Sequence, residues 1–330
     1  MSCHQQLFAL INEKMPAHLS LVHEVSETLN ISYDSAYRRI RGAKPMSMDE
    51  VTRLCQRFDI SLDALFGANG HQHLLFRVFP VEPELFSVDK WLDNILTTIT
   101  HIHDGRDKQI VYAAKDPPLF SYLQFPVIAA FKFFFWSKTL FHIKEFEEKK
   151  FNLLLLDNGF EAKCQRISDL AMKVPTTEIW NEDTFRIFMR QIEYHWISGY
   201  FESRAELELL LAQIEHWLCH NQKQAELGFR YRCGDNPVGI ENSYKLYENE
   251  VVLNDNSIYT MRDGVQTVFL TYNVLGLLAS NNPDYCNSIA SFHKVLMSKS
   301  NLISQTGEKE RNRFYNKLHQ IIEQFRNQYL

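Results

Sequence analysis

Arg38, Arg39 and Arg41 fall within four residues of the stretch ISYDSAYRRIRGAKPMS, Ile31 to Ser47. Guanidinium groups this close together suit anion binding, above all bidentate contact with phosphate oxygens or with the acceptor edge of guanine. Lys44, Arg53 and Arg57 extend the run, so residues 38–57 carry six basic side chains against two acidic ones, Asp49 and Glu50. The whole chain has a formal charge of −5. That excludes a protein that coats nucleic acid through its overall field, and any such binding must come from a local basic face. Other groups capable of chemistry are scattered. Lys115-Asp116 closes the apolar run QIVYAA before a proline turn, a place for a ligand-facing carboxylate or for a plain cap. In SKSNLISQTGEKERNRF, Ser304 precedes a helix start and Arg311 follows it. Backbone N–H groups there plus a guanidinium suit an anion, and a simple N-cap with a solvated basic face is the other reading. His71 with His73, and His101 with His103 and Asp104, are the densest ligand-type groups, but neither has enough neighbours for a metal site.

The basic run needs elements to hold it. Leu7, Leu10 and Ile11 predict a first helix that stops near Met15-Pro16. Leu21, Val22, Val25 and Leu29 give a second helical face. Asn30 suits the left-handed turn that follows, and Ser32 stands where an N-cap starts the next helix. That third helix is expected from about Tyr33 to Arg41, with Gly42 as its stop. Ala36 and Ile40 face inward, and Tyr33, Asp34, Tyr37, Arg38 and Arg41 face outward. Ser47 and Glu50 have capping-box spacing before a fourth apolar stripe, Val51, Leu54, Cys55 and Phe58. A short fifth helix is expected to restart at Ile60-Ser61-Leu62-Asp63, burying Leu65 and Phe66.

VSETLNIS, SAYRRIRG and PMSMDEVTRLCQRFDISLDALF together resemble the helix-turn-helix domain of the phage-repressor (Cro/C1, XRE-like) family. Ser26 matches the small residue of its second helix, and Asp59 to Leu65 matches its closing segment. Asn30 replaces the frequent turn glycine. Arg39 and Ile40 stand where the family often has an apolar residue followed by Glu. The resemblance covers about a fifth of the chain and implies a five-helix DNA-binding fold whose Ser32–Arg41 helix enters the major groove. It implies base contacts from Ser32, Tyr33, Asp34, Ser35 and Tyr37, with Arg38, Arg41 and Lys44 placed to hold phosphates.

GANGHQHLL, Gly67 to Leu75, breaks the composition and predicts a linker over residues 68–87, with 76–85 extended. The remainder, 88–330, alternates textures. A helix is expected over Trp91–His103, a strand over Gln109–Ala114 and a nearly all-buried helix over Phe125–Ile143. From Phe160 to Glu226 the pattern predicts helix almost throughout. A three-stranded antiparallel meander is expected over Tyr244–Asn273, and two helices close the chain, Pro283–Lys299 and Thr306–Tyr329. This gives a mainly α protein with an α+β C-terminal domain. The most apolar window carries Lys132 and Lys138 and is short for a membrane span. Six scattered cysteines without a CxxC pair fit reduced thiols, and no basic start precedes an apolar run. A cytoplasmic location without membrane contact is therefore expected. No P-loop, GxSxG, HExxH or GxGxxG occurs. His142-Ile143-Lys144 is similar to the HxK half of the phospholipase D motif, but Lys149 occupies the place of the required aspartate. No catalytic group, metal or cofactor is expected. The sequence thus favours a transcriptional regulator that binds double-stranded DNA as a homodimer, with a candidate effector-binding body for a small or anionic ligand. The alternative is a ligand-binding protein or enzyme that uses the helix-turn-helix only for docking.

Overall fold

In a computed structural model the chain divides into two compact units, Met1–Leu75 and Phe76–Leu330. The structure describes residues 2–16, 19–60, 62, 74–81, 86–152, 158–251, 256–273 and 275–330. The expected fifth helix, with Leu65 and Phe66, lies outside the described residues except for Ile60 and Leu62. So do His71, His73 and half of the expected linker, residues 68–73 and 82–85.

The first unit contains α1 (Cys3–Lys14), α2 (Leu21–Leu29), α3 (Tyr33–Ile40) and α4 (Met48–Arg57). Local chemistry sets each boundary. Ser2 and Gln5 form a capping box at the start of α1, and Ser47 with Glu50 forms another at α4. Asn30 ends α2 in the left-handed region at φ 53°, and the Ser32 hydroxyl accepts from the Ser35 N–H to start α3. Leu7, Ile11, Val25, Leu29, Ala36 and Leu54 form the core.

The second unit is built on one eight-stranded sheet of order β1-β7-β6-β5-β2-β3-β4-β8. Its elements in chain order begin with β1 (Arg77–Phe79), α5 (Val88–His103), β2 (Lys108–Ala113), α6 (Leu119–Tyr122) and α7 (Pro126–Phe135). A π-helical turn (Trp136–Leu140), α8 (Lys144–Glu147), α9 (Asn158–Ala171), β3 (Thr176–Trp180), α10 (Glu182–Ile197) and α11 (Arg204–Leu227) follow. The rest is β4 (Tyr244–Glu248), β5 (Ser257–Arg262), β6 (Val265–Tyr272), β7 (Gly276–Ser280), α12 (Pro283–Ser298), β8 (Asn301–Leu302) and α13 (Glu308–Tyr329). Strands β2, β3 and β4 are parallel neighbours, and every other pairing is antiparallel. Helices dominate, and the sheet makes the second unit α+β.

Four expectations require correction. Residues 77–79 are the edge strand of the sheet, paired with β7, and not part of an extended connector. The helical stretch 160–226 is broken by β3, whose Thr, Ile and Trp side chains suit a strand buried on both faces. The antiparallel meander is β5-β6-β7, because β4 pairs with β3 and β8 and does not touch β5. The apolar helix after Phe125 ends as α-helix at Phe135 and continues as the π-helical turn.

The large core gathers Phe131, Phe134, Phe151, Phe188, Trp217 and Phe314 around α7, α10, α11 and α13. Three histidines, His195, His220 and His293, are buried in this unit. His195 meets the Thr139 hydroxyl at 2.7 Å, and His293 meets the Ser257 hydroxyl at 3.2 Å. Burial and the nearby Lys138 push the His195 imidazole down to about 3, and burial pushes His293 down to about 4. Both stay neutral in the folded chain, while the unfolded chain takes up protons near pH 6.5. Their stabilisation is therefore complete above about pH 6.5 and is lost as the pH falls towards their folded values. Urea unfolding of the body should show a loss on the order of 2–4 kcal/mol between pH 7 and pH 5. Replacing His195 and His293 with glutamine should flatten most of that pH dependence, leaving the smaller part that buried His220 contributes. An equally steep curve in the double variant would assign the loss to other groups.

Candidate nucleic-acid interface

The outward face of α3 carries Tyr33, Asp34, Tyr37 and Arg38, and exposed Arg41 and Lys44 follow it. Tyr33 is 57% exposed and Tyr37 49%, an unusual display for two rings on one short helix. Neither ring is loose. The Tyr33 hydroxyl shares a 2.6 Å hydrogen bond with His23 Nδ1 of α2. The Arg41 guanidinium lies 5.6 Å from the centre of the Tyr37 ring, within range of a cation–π contact. Ser32 is occupied as the N-cap, and Ser35 is half-buried, with its carbonyl accepting from Arg39 Nη1 at 3.2 Å. Arg38, Arg41 and Arg53 form no ion pair among the described residues.

Arg39 departs from the rest of the run. It is buried on the inner side of α3, more deeply than Ile40, the residue whose spacing predicts an inward position. Its Nε meets both oxygens of Glu50 at 3.1 Å, and Nη2 reaches Oε1 at 2.6 Å. The hydrogen bond from Arg39 holds the Glu50 carboxyl below its ordinary value. Glu50 also accepts from the Ser47 N–H at 3.1 Å. One carboxylate thus caps α4 and fastens α3 to it, fixing the loop that carries Arg41 and Lys44. Arg57 is engaged as well, with Glu24 at 3.2 Å. The α2–α3 turn is closed by the Ser26 hydroxyl, which donates to the Ile31 carbonyl at 2.6 Å. His4 of α1 donates to the Ile40 carbonyl at 3.1 Å. Three helices therefore brace α3 from behind and leave its polar face open. Sequence reasoning missed His23 and the Arg39–Glu50 pair. The pair had a signal, since a charged residue at an inward helical position demands a buried partner.

In the second unit, Asp116 follows β2 and its backbone N–H donates to Asn256 Oδ1 at 3.2 Å. Its own Oδ1 lies 3.7 Å from Lys132 Nζ. Lys132 is fully buried, donates to Gln191 Oε1 at 2.9 Å, and sits 5.2 Å from the ring centres of Trp136 and Phe188. Burial pulls its ammonium group below the ordinary lysine value, against the pull of Asp116. Asp116 therefore serves as the counter-charge of a core lysine. The lone lysine inside FPVIAAFKFFFW was the available clue.

The expected anion site around Ser304 and Arg311 is corrected. Ser304 is buried and accepts from the Leu246 N–H at 3.3 Å. Arg311 is buried and donates to the Ile303 and Gln305 carbonyls, each at 3.1 Å. Both residues close the loop before α13 and present nothing to a ligand. A cleft of about 420 Å³ does open at the C-terminal ends of β3 and β4, lined by Asn181, Asp183, Glu248, Glu250 and Lys317 among others. Its carboxylates outnumber its cations, so it does not match an anionic effector either. His101 contacts Arg262 at 2.9 Å while His103 pairs with Asp104, so the cluster does not converge. Among the described residues no group of three metal-ligating side chains comes together, and no helix is long and apolar enough to cross a membrane. No protein family model, curated protein or solved structure matches the chain.

Proposed function

We propose that the chain is a transcriptional regulator whose first unit binds double-stranded DNA by inserting α3 into the major groove. The observation that carries this reading is the exposed face of α3, aromatic and basic at once, braced from behind through Ser26, His4 and the Arg39–Glu50 pair. Rigid aromatic and polar groups near the helix N-terminus suit contact with base edges. Arg38, Arg41 and Lys44, nearer its C-terminus, suit phosphate contact. A single head of this size covers few base pairs, so specific binding requires a homodimer on half-sites about 34–36 Å apart. The second unit, with its own core, supplies dimerisation and senses a small molecule. A ligand that favours one arrangement of the paired heads shifts the population towards it and changes affinity for the operator.

Titration of labelled duplex DNA over a range of salt concentrations tests the reading. Arg38→Ala and Arg41→Ala should weaken binding to every sequence and lower the salt slope by about 0.9 for each phosphate no longer neutralised. Tyr33→Ala and Ser35→Ala should instead change which sequence is preferred. Four variants indistinguishable from the parent would remove α3 from the interface and favour a docking role for the first unit.

A further inference from the structure

We propose that Cys233 is a reactive thiol, activated by His216 and open to oxidation by hydroperoxides. The Cys233 sulfur lies 3.4 Å from His216 Nε2, a nucleophile and a base in direct contact at the surface of the second unit. The two come from different elements. His216 projects from α11, and Cys233 stands in the loop between α11 and β4. The loop is fixed at this point, because the Cys233 N–H donates to Gln124 Oε1 at 2.7 Å. The Gly234 N–H is directed at the sulfur and stabilises a thiolate there. Gly234 itself adopts φ +91°, and nothing lies within 4 Å of where its side chain would be.

Partial burial raises the Cys233 thiol above its ordinary value, so the resting sulfur keeps its proton and needs a base at the moment of attack. His216 supplies that base. The sulfur attacks the outer peroxide oxygen, the S–O bond forms and the O–O bond breaks. Two electrons pass from sulfur to the peroxide. The thiol proton moves to His216 Nε2 and on to the departing oxygen, which leaves as an alcohol, or as water when the oxidant is hydrogen peroxide. The product is the sulfenic acid of Cys233.

The other cysteines provide internal standards. Cys3 and Cys219 are more exposed than Cys233, whereas Cys55, Cys164 and Cys286 are buried. Reactivity governed by exposure alone would favour Cys3 and Cys219. The test exposes the full chain to limiting hydrogen peroxide, traps sulfenic acid with a cyclic 1,3-dione and measures the adduct at each cysteine by mass spectrometry. Cys233 should exceed Cys3 and Cys219 by at least about tenfold, a threshold below the roughly hundredfold or more that a positioned base supplies. His216→Gln should remove that excess and leave Cys3 and Cys219 unchanged. The ranking among cysteines in the unaltered chain needs no substitution, so it stands even if a variant folds poorly. Adducts distributed by exposure, or a Cys233 rate unaffected by His216→Gln in a folded variant, would overturn the proposal.

Discussion

Replacing Glu50 with alanine is expected to cost the first unit about 3 kcal/mol, the lower end of the range for removing one partner of a buried ion pair. The lower end applies because the Glu50 side chain keeps 15% of its exposure, whereas that of Arg39 keeps 7%. The substitution strands a guanidinium beneath α3 and also deletes half of the capping box that starts α4. Arg39→Met should cost much less. It leaves no buried cation, and Glu50 retains the Ser47 N–H and some water. All five tryptophans lie beyond residue 90, so tryptophan fluorescence is blind to this unit. Hydrogen exchange of the α3 and α4 amides is the suitable measurement. Exchange by opening of the unit should accelerate roughly a hundredfold in Glu50→Ala. Equal, small effects of the two substitutions would show a pair that behaves like an exposed surface bridge.

The second large effect is expected at Glu178 on β3. Its carboxylate is buried beneath the sheet, where Oε2 accepts from Trp180 Nε1 at 3.1 Å and from the Tyr244 hydroxyl at 3.0 Å. Arg230 Nη1 stands 3.8 Å from Oε1, and Arg230 Nη2 donates to the Ala171 carbonyl at 2.9 Å and to Thr176 Oγ1 at 2.5 Å. The group thus ties β3 to β4 and to the segment after α11. Burial pushes the Glu178 carboxyl upward, and Arg230 and the hydrogen bonds from Tyr244 and Trp180 oppose it. Glu178→Ala strands the buried guanidinium and removes two acceptors at once, for an expected loss of about 3–5 kcal/mol in urea unfolding of the second unit. Glu178→Gln keeps an acceptor for Tyr244 and Trp180 and should recover part of that loss. Trp180 touches the carboxylate, so its fluorescence should change in both variants. A Glu178→Ala chain as stable as the parent would mean that the network contributes nothing net.

The first unit is legible in sequence because its boundaries are written in adjacent residues. Asn30, Ser32 and the Ser47–Glu50 box each act within a few positions, and α2 ends and α3 and α4 begin where these residues place them. Within α3 the misleading assumption is that every arginine is solvated, when Arg39 is satisfied by a residue eleven positions away. The second unit is legible only in part. Helices α10 and α11 and the Asp263-Gly264 hairpin announce themselves locally. Strand β3 does not, since five residues buried on both faces carry no alternation and lie between two helices. The partners of β4 are likewise set by pairing with β3, some seventy residues away, which no local pattern encodes. Asp116 stands out in sequence for its place at a strand end, but its meaning depends on Lys132 in α7. The Ser304–Arg311 expectation fails for a related reason. A helix start next to an arginine looks the same in sequence whether its donors face a ligand or the protein's own carbonyls.

Selection of bound fragments from randomised duplex DNA by the full chain, at about physiological salt, tests the central claim most directly. The account predicts enrichment of a two-fold symmetric motif whose half-sites are separated by about one helical turn or a multiple of it. Enrichment of no sequence, both with purified chain and with cell extract added as a source of effector, would contradict sequence-specific DNA binding by the α3 face.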